Sequence, residues 1–255
     1  SLAAKRGVNQ DVLIRINPGI EAHTHAFVQT ARTDSKFGFS IFDGSAENML
    51  TYLLDKRNLT VKGFHCHIGS QIFEKQSFEL ATEKMLCFIA DMKKIHGFET
   101  ETLNMGGGFG IWYSEGDRAH APEDYCEYVK SIIDVIKAKT AEYGLRQPFL
   151  MIEPGRSIVG EARIMLYTVG AIKDIVGVKK YVAVDGGMFE NPRYALYQSK
   201  YSALLANRAD EPCTEIVTIA GKCCESGDII AAGVALPEAE SGDILAVLST
   251  GAYHY

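Results

Sequence analysis

The sequence has 255 residues, of which 47% are hydrophobic and 23% charged, and its 26 basic and 32 acidic side chains give a formal net charge of −6. A mildly acidic chain without a cluster of Lys and Arg argues against binding to nucleic-acid phosphates or anionic lipid. No apolar run reaches the roughly 20 residues of a membrane span, and the first eleven residues lack the pattern of a secretory signal. We therefore expect a cytoplasmic protein that binds neither nucleic acid nor membrane.

Short apolar runs alternate with longer amphipathic stretches over the first two thirds of the chain. This alternation is typical of βα units on a parallel sheet. Four strands are predicted, and three helical patterns with apolar residues at three- and four-residue spacing separate them. The strands are residues 12–16, 61–67, 102–105 and 149–152, and the helices are residues 46–56, 77–96 and 123–142.

Beyond about Gly160 the chain changes to β-branched and aromatic runs separated by glycine turns. These runs predict a second, mainly β domain. No flexible linker joins it to the first part of the chain. The predicted strands are residues 164–172, 180–184, 215–220 and 244–248.

Three predicted parallel strands end in polar or glycine-rich motifs, and the carboxyl ends of such strands carry the chemistry of α/β folds. The motifs are His-Ile-Gly-Ser-Gln at 67–71, Gly-Gly-Gly-Phe-Gly at 106–110 and Glu-Pro-Gly-Arg at 153–156. Three successive glycines leave backbone N–H groups free for a phosphate, or they form a tight turn that needs positive φ. Both interpretations stay open. The spacing matches neither a dinucleotide fold nor a P-loop.

Glu153 and Arg156 lie close together after the last of these strands. A shielded carboxylate can hold a protonated ring nitrogen, and a guanidinium can bind a phosphate or a substrate carboxylate through two hydrogen bonds. The alternative is that the two side chains pair with each other and brace the loop.

The β-rich part contains the hexapeptide Cys-Cys-Glu-Ser-Gly-Asp at 223–228. A thiol beside a carboxylate suits a proton donor next to a group that binds a cation, although most lone cysteines are small buried hydrophobes. Arg193 and Tyr197 are four residues apart and share a face if that segment is helical.

Six cysteines without a CxxC pair indicate reduced thiols. The triplet His65-Cys66-His67 suggests a metal site only weakly, because alternate strand residues face opposite sides and no further ligand sits at a suitable spacing. We predict no metal.

In this order the motifs resemble those of the fold type III pyridoxal-phosphate decarboxylases, most closely the branch that acts on meso-diaminopimelate in lysine biosynthesis. The resemblance covers nearly the whole chain, from residues 15–19 and 34–38, through the motifs above, to Gly251-Ala252-Tyr253. It implies the second half of a (β/α)8 TIM-like barrel over residues 1–162 and a mainly β C-terminal domain over 163–255, truncated at both chain ends.

The resemblance also implies pyridoxal 5′-phosphate as the cofactor, an amino acid as the substrate, and a homodimer with shared active sites. His67 then stacks on the cofactor ring, and Glu153 binds the ring nitrogen. The phosphate is held by Ser70 and by Gly106, Gly107 and Gly108, while Gly155 and Arg156 complete the cofactor and substrate cradle. The implied substrate contacts are Arg193, Tyr197, Tyr253 and Glu225, and Tyr253 also touches the phosphate. The implied proton donor is Cys224. Cys224 and Glu225 reach in from the partner subunit.

One expected residue is missing. The Schiff-base lysine of such enzymes lies at the end of the first barrel strand, and neither Lys36 nor Lys62 takes that role. We therefore expect a missing N-terminal barrel segment, without which this chain is inactive.

Two rival functions remain. One is a related decarboxylase of ornithine, lysine, arginine or carboxynorspermidine, and the other is a non-catalytic regulatory homologue. Arg193 together with Glu225 favours a substrate with a distal carboxylate and a distal ammonium group.

Overall fold

The predicted alternation of strands and helices is present in the computed structural model, which describes residues 2–20, 35–118 and 124–255. These residues divide into two compact units. The first contains the described residues up to Gly110 together with 124–154, and the second contains 111–118 together with 155–255.

The described helices and strands are numbered in chain order. The helices are α1 (Leu2–Lys5), α2 (Ser45–Leu54), α3 (Lys75–His96), α4 (Glu115–Arg118), α5 (Tyr125–Tyr143), α6 (Arg156–Val159) and α7 (Arg193–Tyr197). The strands are β1 (Gln10–Asn17), β2 (Phe39–Ser40), β3 (Leu59–His65), β4 (Thr102–Asn104), β5 (Phe149–Met151), β6 (Met165–Ile175), β7 (Lys179–Val184), β8 (Ala203–Leu205), β9 (Glu215–Ala220), β10 (Ile229–Leu236) and β11 (Ile244–Val247).

The first unit is built on a parallel five-stranded sheet with the order β2-β1-β3-β4-β5. Its core consists of fully buried strand residues such as Phe64 and Leu103, packed against the apolar faces of the helices. In α3 the buried positions Phe78, Ala81 and Met85 follow the three- and four-residue spacing of one helical face. Because all strands run the same way, their carboxyl ends meet at one edge of the sheet.

Local sequence sets the ends of the two longer helices. The carboxylate of Asp124 accepts a hydrogen bond of 2.7 Å from the backbone of Cys126 and caps the start of α5. Glycines in the left-handed conformation follow both helices, with φ of 65° at Gly97 and 63° at Gly144. Glu123, where the sequence predicts the start of α5, lies outside the described residues.

The second unit contains a mixed six-stranded sheet with the order β10-β9-β7-β6-β11-β8. Neighbouring strands are antiparallel except for β7 and β9, which are parallel. The two edge strands β8 and β10 also approach each other, so that the sheet is nearly closed. The fold class predicted from the sequence, a parallel α/β part followed by a β-rich part, is confirmed.

The sequence patterns missed three strands, β2, β8 and β10. The first two have only two and three residues. In β10, small residues and Gly233 hide the alternation, and its pairing with β9 shifts register twice. None of the helices in the described ranges combines the length and the apolar composition that crossing a bilayer requires. The domain boundary at residue 162 stays a prediction.

Candidate active site

The triple glycine lies at the carboxyl edge of the parallel sheet, where three strand ends come into contact. A Cβ atom on Gly106 would lie 2.5 Å from the carbonyl oxygen of Cys66, and one on Gly107 would lie 2.2 Å from that of Glu153. One on Gly108 would lie 2.2 Å from the carbonyl oxygen of Gly69. Only glycine therefore allows these backbones to approach so closely.

The same turn uses two of its backbone N–H groups internally. Gly106 donates to Asn104 Oδ1 at 2.9 Å, and Gly107 donates to His67 Nδ1 at 3.2 Å. Within the described residues, the N–H of Gly108 forms no hydrogen bond. Gly106 and Gly108 also have φ values of +70° and +99°, as the turn interpretation requires. Phosphate binding by all three glycines stays a prediction, with Gly108 as the amide best suited to it.

His67 stands beside this turn as a neutral imidazole. Burial, followed by the positive charge of Arg15, lowers the pKa of His67 to about 4. Because its Nδ1 atom accepts the hydrogen bond from Gly107, the ring proton belongs on Nε2. The predicted Ser70 lies three residues further on, partly buried.

Glu153 is held at one carboxylate oxygen. Asn104 Nδ2 donates to Glu153 Oε1 at 2.8 Å, and His65 Nε2 lies 3.5 Å from the same oxygen. No hydrogen bond from the described residues reaches Oε2, and 53% of the side chain is exposed. The carboxylate is thus anchored on one side and accessible on the other.

Three residues that surround Glu153 were not predicted from the sequence, namely Arg15, His65 and Asn104. Burial lowers the pKa of Arg15, and attraction to Glu153 opposes that effect. Burial likewise lowers the pKa of His65, again opposed by Glu153, so the ring is neutral near pH 7. All three lie on neighbouring strands, β1, β3 and β4, and only the pairing of these strands reveals that they meet.

The segment at 34–38 contributes Phe37, whose ring lies 4.6 Å from the guanidinium carbon of Arg15. This contact is a cation–π interaction. Asp34 of the same motif lies outside the described residues.

In the second unit, two arginines are buried among tyrosines. Arg156 and Arg193 are 6% and 5% exposed. Arg156 donates a hydrogen bond to the hydroxyl of Tyr113, and its guanidinium carbon lies 4.6 Å from the ring centre of Tyr253. Arg193 lies 5.4 Å from the ring centre of Tyr253 and 5.2 Å from that of Tyr197, its neighbour on α7. The prediction that Arg193 and Tyr197 share a helical face is confirmed.

No acidic side chain among the described residues forms an ion pair with Arg193, and its Nε atom is buried without a hydrogen bond. A buried, uncompensated cation is costly. Arg193 also lines a pocket of about 420 Å³ together with Tyr197, Tyr253 and His254. These features are suited to binding an anion.

His254 supports the edge of this pocket and was not predicted. Its Nδ1 atom lies 2.7 Å from the carbonyl oxygen of Ala252 and donates to it. Its Nε2 atom lies 3.0 Å from the hydroxyl of Tyr201 and 3.1 Å from Oδ1 of Asn191. Burial lowers the pKa of His254 to about 4, so this ring is also neutral. Adjacent Tyr253 has a φ of +65° and is 63% exposed.

Cys224 and Glu225 lie on the exposed loop between β9 and β10. The buried carboxylate of Asp228 supports this loop, because it accepts hydrogen bonds of 2.7 Å from the backbone of Cys223 and 2.6 Å from that of Met188. In the described part of the chain, no hydrogen bond joins Cys224 or Glu225 to the buried arginines. Gly155, at the start of α6, is exposed, and a Cβ atom there would meet no neighbour within 4 Å.

All six cysteines are free thiols. Cys66 is fully buried, and burial raises its pKa to about 12. Within the described ranges, no group of three or more His, Cys, Asp or Glu side chains is placed to hold a metal ion.

The donor set at the sheet edge fits pyridoxal 5′-phosphate. The buried Nε2 atom of His65 has no hydrogen-bond partner among the described residues and lies 3.5 Å from Oε1 of Glu153, whose other oxygen is accessible. A carboxylate supported in this way is suited to a protonated ring nitrogen. The neutral ring of His67 adds no positive charge against such a cation.

Comparison with known proteins agrees with this chemistry. Residues 2–160 match the model of the pyridoxal-binding domain of the pyridoxal-dependent decarboxylases. The chain is 48% identical over 254 residues to diaminopimelate decarboxylase of Bacillus subtilis (strain 168), covering all of this chain and 57% of that protein. It is 50% identical over 245 residues to that of Staphylococcus aureus (strain COL), covering 96% of this chain and 56% of that protein. The chain thus spans little more than half the length of these curated relatives.

Solved structures give the same result. The crystal structure of diaminopimelate decarboxylase from M. jannaschii has a TM-score of 0.85 and 33% identity, and the match covers 99% of this chain and 56% of that one. The structure of the Helicobacter pylori enzyme complexed with L-lysine has a TM-score of 0.84 and 27% identity, over 99% of this chain and 59% of that one. The family model, these relatives and the fold together show that this chain belongs to the pyridoxal-dependent decarboxylases, whose cofactor is pyridoxal phosphate.

Proposed function

We propose that the protein containing this chain decarboxylates meso-diaminopimelate to L-lysine and CO2. The observation that carries the proposal is the grouping at one sheet edge of a half-anchored carboxylate, a neutral imidazole and a glycine turn. The similarity to diaminopimelate decarboxylases along the whole chain supports the choice of substrate.

In this proposal Glu153 binds the ring nitrogen of pyridoxal phosphate through Oε2 and keeps it protonated. The bound cofactor supplies an electron sink that stabilises the negative charge left at Cα when CO2 departs. His67 covers one face of the ring and stays uncharged. Ser70 and the N–H of Gly108 bind phosphate, and the roles proposed for Gly155, Arg156 and Tyr253 are contacts to phosphate and substrate.

Arg193 binds the distal carboxylate of the substrate, with Tyr197 and Tyr253 beside it. The reason is the buried guanidinium without an acidic partner, which an incoming carboxylate would neutralise through charge-assisted hydrogen bonds. Glu225, exposed on its loop, supplies the negative charge that a distal ammonium group requires.

Cys224 donates the proton that replaces CO2 at Cα, from its Sγ atom. Its exposure on the β9–β10 loop supports a role outside its own unit, whereas Cys223 is partly buried beside Asp228. We further propose a homodimer in which Cys224 and Glu225 serve the site of the partner subunit.

The lysine that binds the cofactor covalently comes, in this proposal, from a part of the protein outside residues 1–255, and this chain alone is inactive. Lys62 is unsuited to the role because its Nζ atom is bound to Glu101 at 2.9 Å. Lys36 lies 5.1 Å from the ring centre of Phe37.

The test is CO2 release by the natural full-length protein loaded with pyridoxal phosphate. The substrates are meso-diaminopimelate, ornithine and lysine, each at the same concentration. We expect release from meso-diaminopimelate and little from the other two, because neither has a distal carboxylate for Arg193. Faster release from ornithine or lysine would overturn the proposed substrate, and no release from any of them would favour a non-catalytic homologue.

A further inference from the structure

We infer that Asn104 is a positioning residue for the cofactor: its amide fixes Oε1 of Glu153 and thereby presents Oε2 to the ring nitrogen. The inference rests on the proposed role of Glu153. It adds a residue to which neither the motifs nor the family resemblance assigned a role.

The Asn104 amide has only one possible orientation. Asn104 is the last residue of β4 and is 4% exposed. Its Oδ1 atom accepts a hydrogen bond of 2.9 Å from the backbone N–H of Gly106. A flipped amide would place two donors against each other, so the Nδ2 atom must point the other way, toward Glu153.

The pairing of β4 and β5 brings Glu153 to this amide. Asn104 pairs with Met151 on β5, two residues before Glu153. The backbone N–H of Glu153 donates to the carbonyl of Gly106 at 2.8 Å, which fixes its main chain beside the glycine turn. Asn104 therefore links the carboxylate to the same turn that we propose for phosphate binding.

Glu153 needs such a support to hold its carboxylate in one position. Its side chain is 53% exposed, and a long side chain that is free in solvent loses rotamer entropy when it is fixed. Asn104 makes the hydrogen bond of 2.8 Å, and the neutral His65 ring faces the same oxygen at 3.5 Å. Asn104 is an uncharged donor, so it holds Oε1 without adding an ion pair that would compete with a cation at Oε2.

The chain offers a matched control in Asn17, the last residue of β1, which is 3% exposed. Its Oδ1 atom accepts a hydrogen bond of 3.0 Å from Gly19, two residues further on, just as that of Asn104 does from Gly106. Asn17→Asp and Asn104→Asp therefore keep the same kind of turn. Only Asn104→Asp replaces a donor to Glu153 with a negatively charged acceptor.

The experiment measures the dissociation constant of pyridoxal 5′-phosphate for the natural full-length protein, by titration of the cofactor-free form followed by absorbance. We expect Glu153→Gln and Asn104→Asp each to raise this constant about tenfold or more, because hydrogen bonds to charged groups are among the stronger ones. Asn17→Asp should change it less than about twofold. The double variant Glu153→Gln/Asn104→Asp should resemble Glu153→Gln alone, because the two residues act as one unit.

Asn104→Ser serves as a second variant if Asn104→Asp does not fold. Its hydroxyl retains an acceptor for the turn but is too short to reach Glu153. The role of Asn104 would be disproved if both Asn104 variants bound the cofactor as tightly as Asn17→Asp does, while Glu153→Gln bound it weakly. That result would leave the proposed function intact. Strictly additive effects in the double variant would also disprove it. Unchanged binding in Glu153→Gln would instead overturn the proposed cofactor placement itself.

Discussion

His67 should make the stability of the protein depend on pH in a way that one substitution removes. Burial lowers its pKa from an ordinary 6.5 to about 4. Its Nδ1 atom accepts a hydrogen bond from Gly107, and protonation of that atom would replace the acceptor with a donor. Lowering the pH therefore breaks the hydrogen bond between His67 and the glycine turn.

The sign and size of the effect follow from linkage. Because the pKa is lower in the folded state, the unfolded state binds the proton first. The contribution of neutral His67 is fully present above about pH 6.5 and is lost as the pH falls toward 4. The fall of the pKa from 6.5 to about 4 corresponds to about 3.5 kcal/mol, at about 1.4 kcal/mol for each pH unit, and about 3 kcal/mol of it is lost by pH 4.

The assay is the free energy of unfolding in denaturant, measured for the natural full-length protein and for His67→Gln at several pH values between about 7 and 4. The amide oxygen of Gln can accept from Gly107, but the side chain does not titrate. Other titrating groups, among them His254, are common to both proteins and cancel in the comparison. We expect the original protein to lose about 3 kcal/mol more than His67→Gln across this range. Parallel curves for the two proteins would refute the reasoning.

Three further predictions concern packing and charge. Gly107→Ala should lower the free energy of unfolding by about 1–3 kcal/mol, because its Cβ would lie 2.2 Å from the carbonyl oxygen of Glu153, whereas Gly170→Ala, with its nearest neighbour at 3.6 Å, should change it little. Asp228→Asn should lower the free energy of unfolding by about 1–3 kcal/mol in chemical denaturation. The new amide N–H would face one of the backbone N–H groups that now donate to the carboxylate. An unchanged free energy of unfolding would contradict this expectation. Arg193→Met should leave the free energy of unfolding unchanged or raise it by about 1 kcal/mol, since it removes an uncompensated buried charge, yet raise the KM for meso-diaminopimelate at least about tenfold in steady-state kinetics. An unchanged KM would exclude Arg193 from substrate binding.

Much of the first unit could be predicted because its pattern is local. Strand and helix periods alternate along the sequence, and the glycine and Glu-Pro-Gly-Arg motifs mark the carboxyl ends of strands where chemistry collects. Glu153 contacts the glycine turn because β4 and β5, which lead into them, pair in parallel.

The residues that support Glu153 could not be predicted in the same way. Arg15, His65 and Asn104 are far apart in sequence and come together through the pairing of β1, β3 and β4. Nothing in the local pattern distinguishes Asn104 from Asn17, which forms the same turn at another strand end. The sequence signal that both share is an Asn two positions before a glycine at the end of a predicted strand, and it selects Asn17 and Asn104 alike.

In the second unit, two of the tyrosines around the buried Arg156 and Arg193 could likewise not be predicted from the sequence. Tyr113 and Tyr201 are single residues in irregular segments, and their ring centres lie 4.9 Å apart only in the folded chain. Arg193 and Tyr197 could be predicted because they are four residues apart on one helix, so the sequence spacing alone brings them together.

The most direct test of the account is the protonation state of the cofactor's ring nitrogen, observed by nitrogen NMR on isotope-labelled pyridoxal phosphate bound to the natural full-length protein near pH 7. We expect a protonated nitrogen in the original protein and an unprotonated one in Glu153→Gln, because the carboxylate stabilises the added charge. An unprotonated nitrogen in the original protein, or a protonated one that persists in Glu153→Gln, would contradict the placement of the ring nitrogen at Glu153.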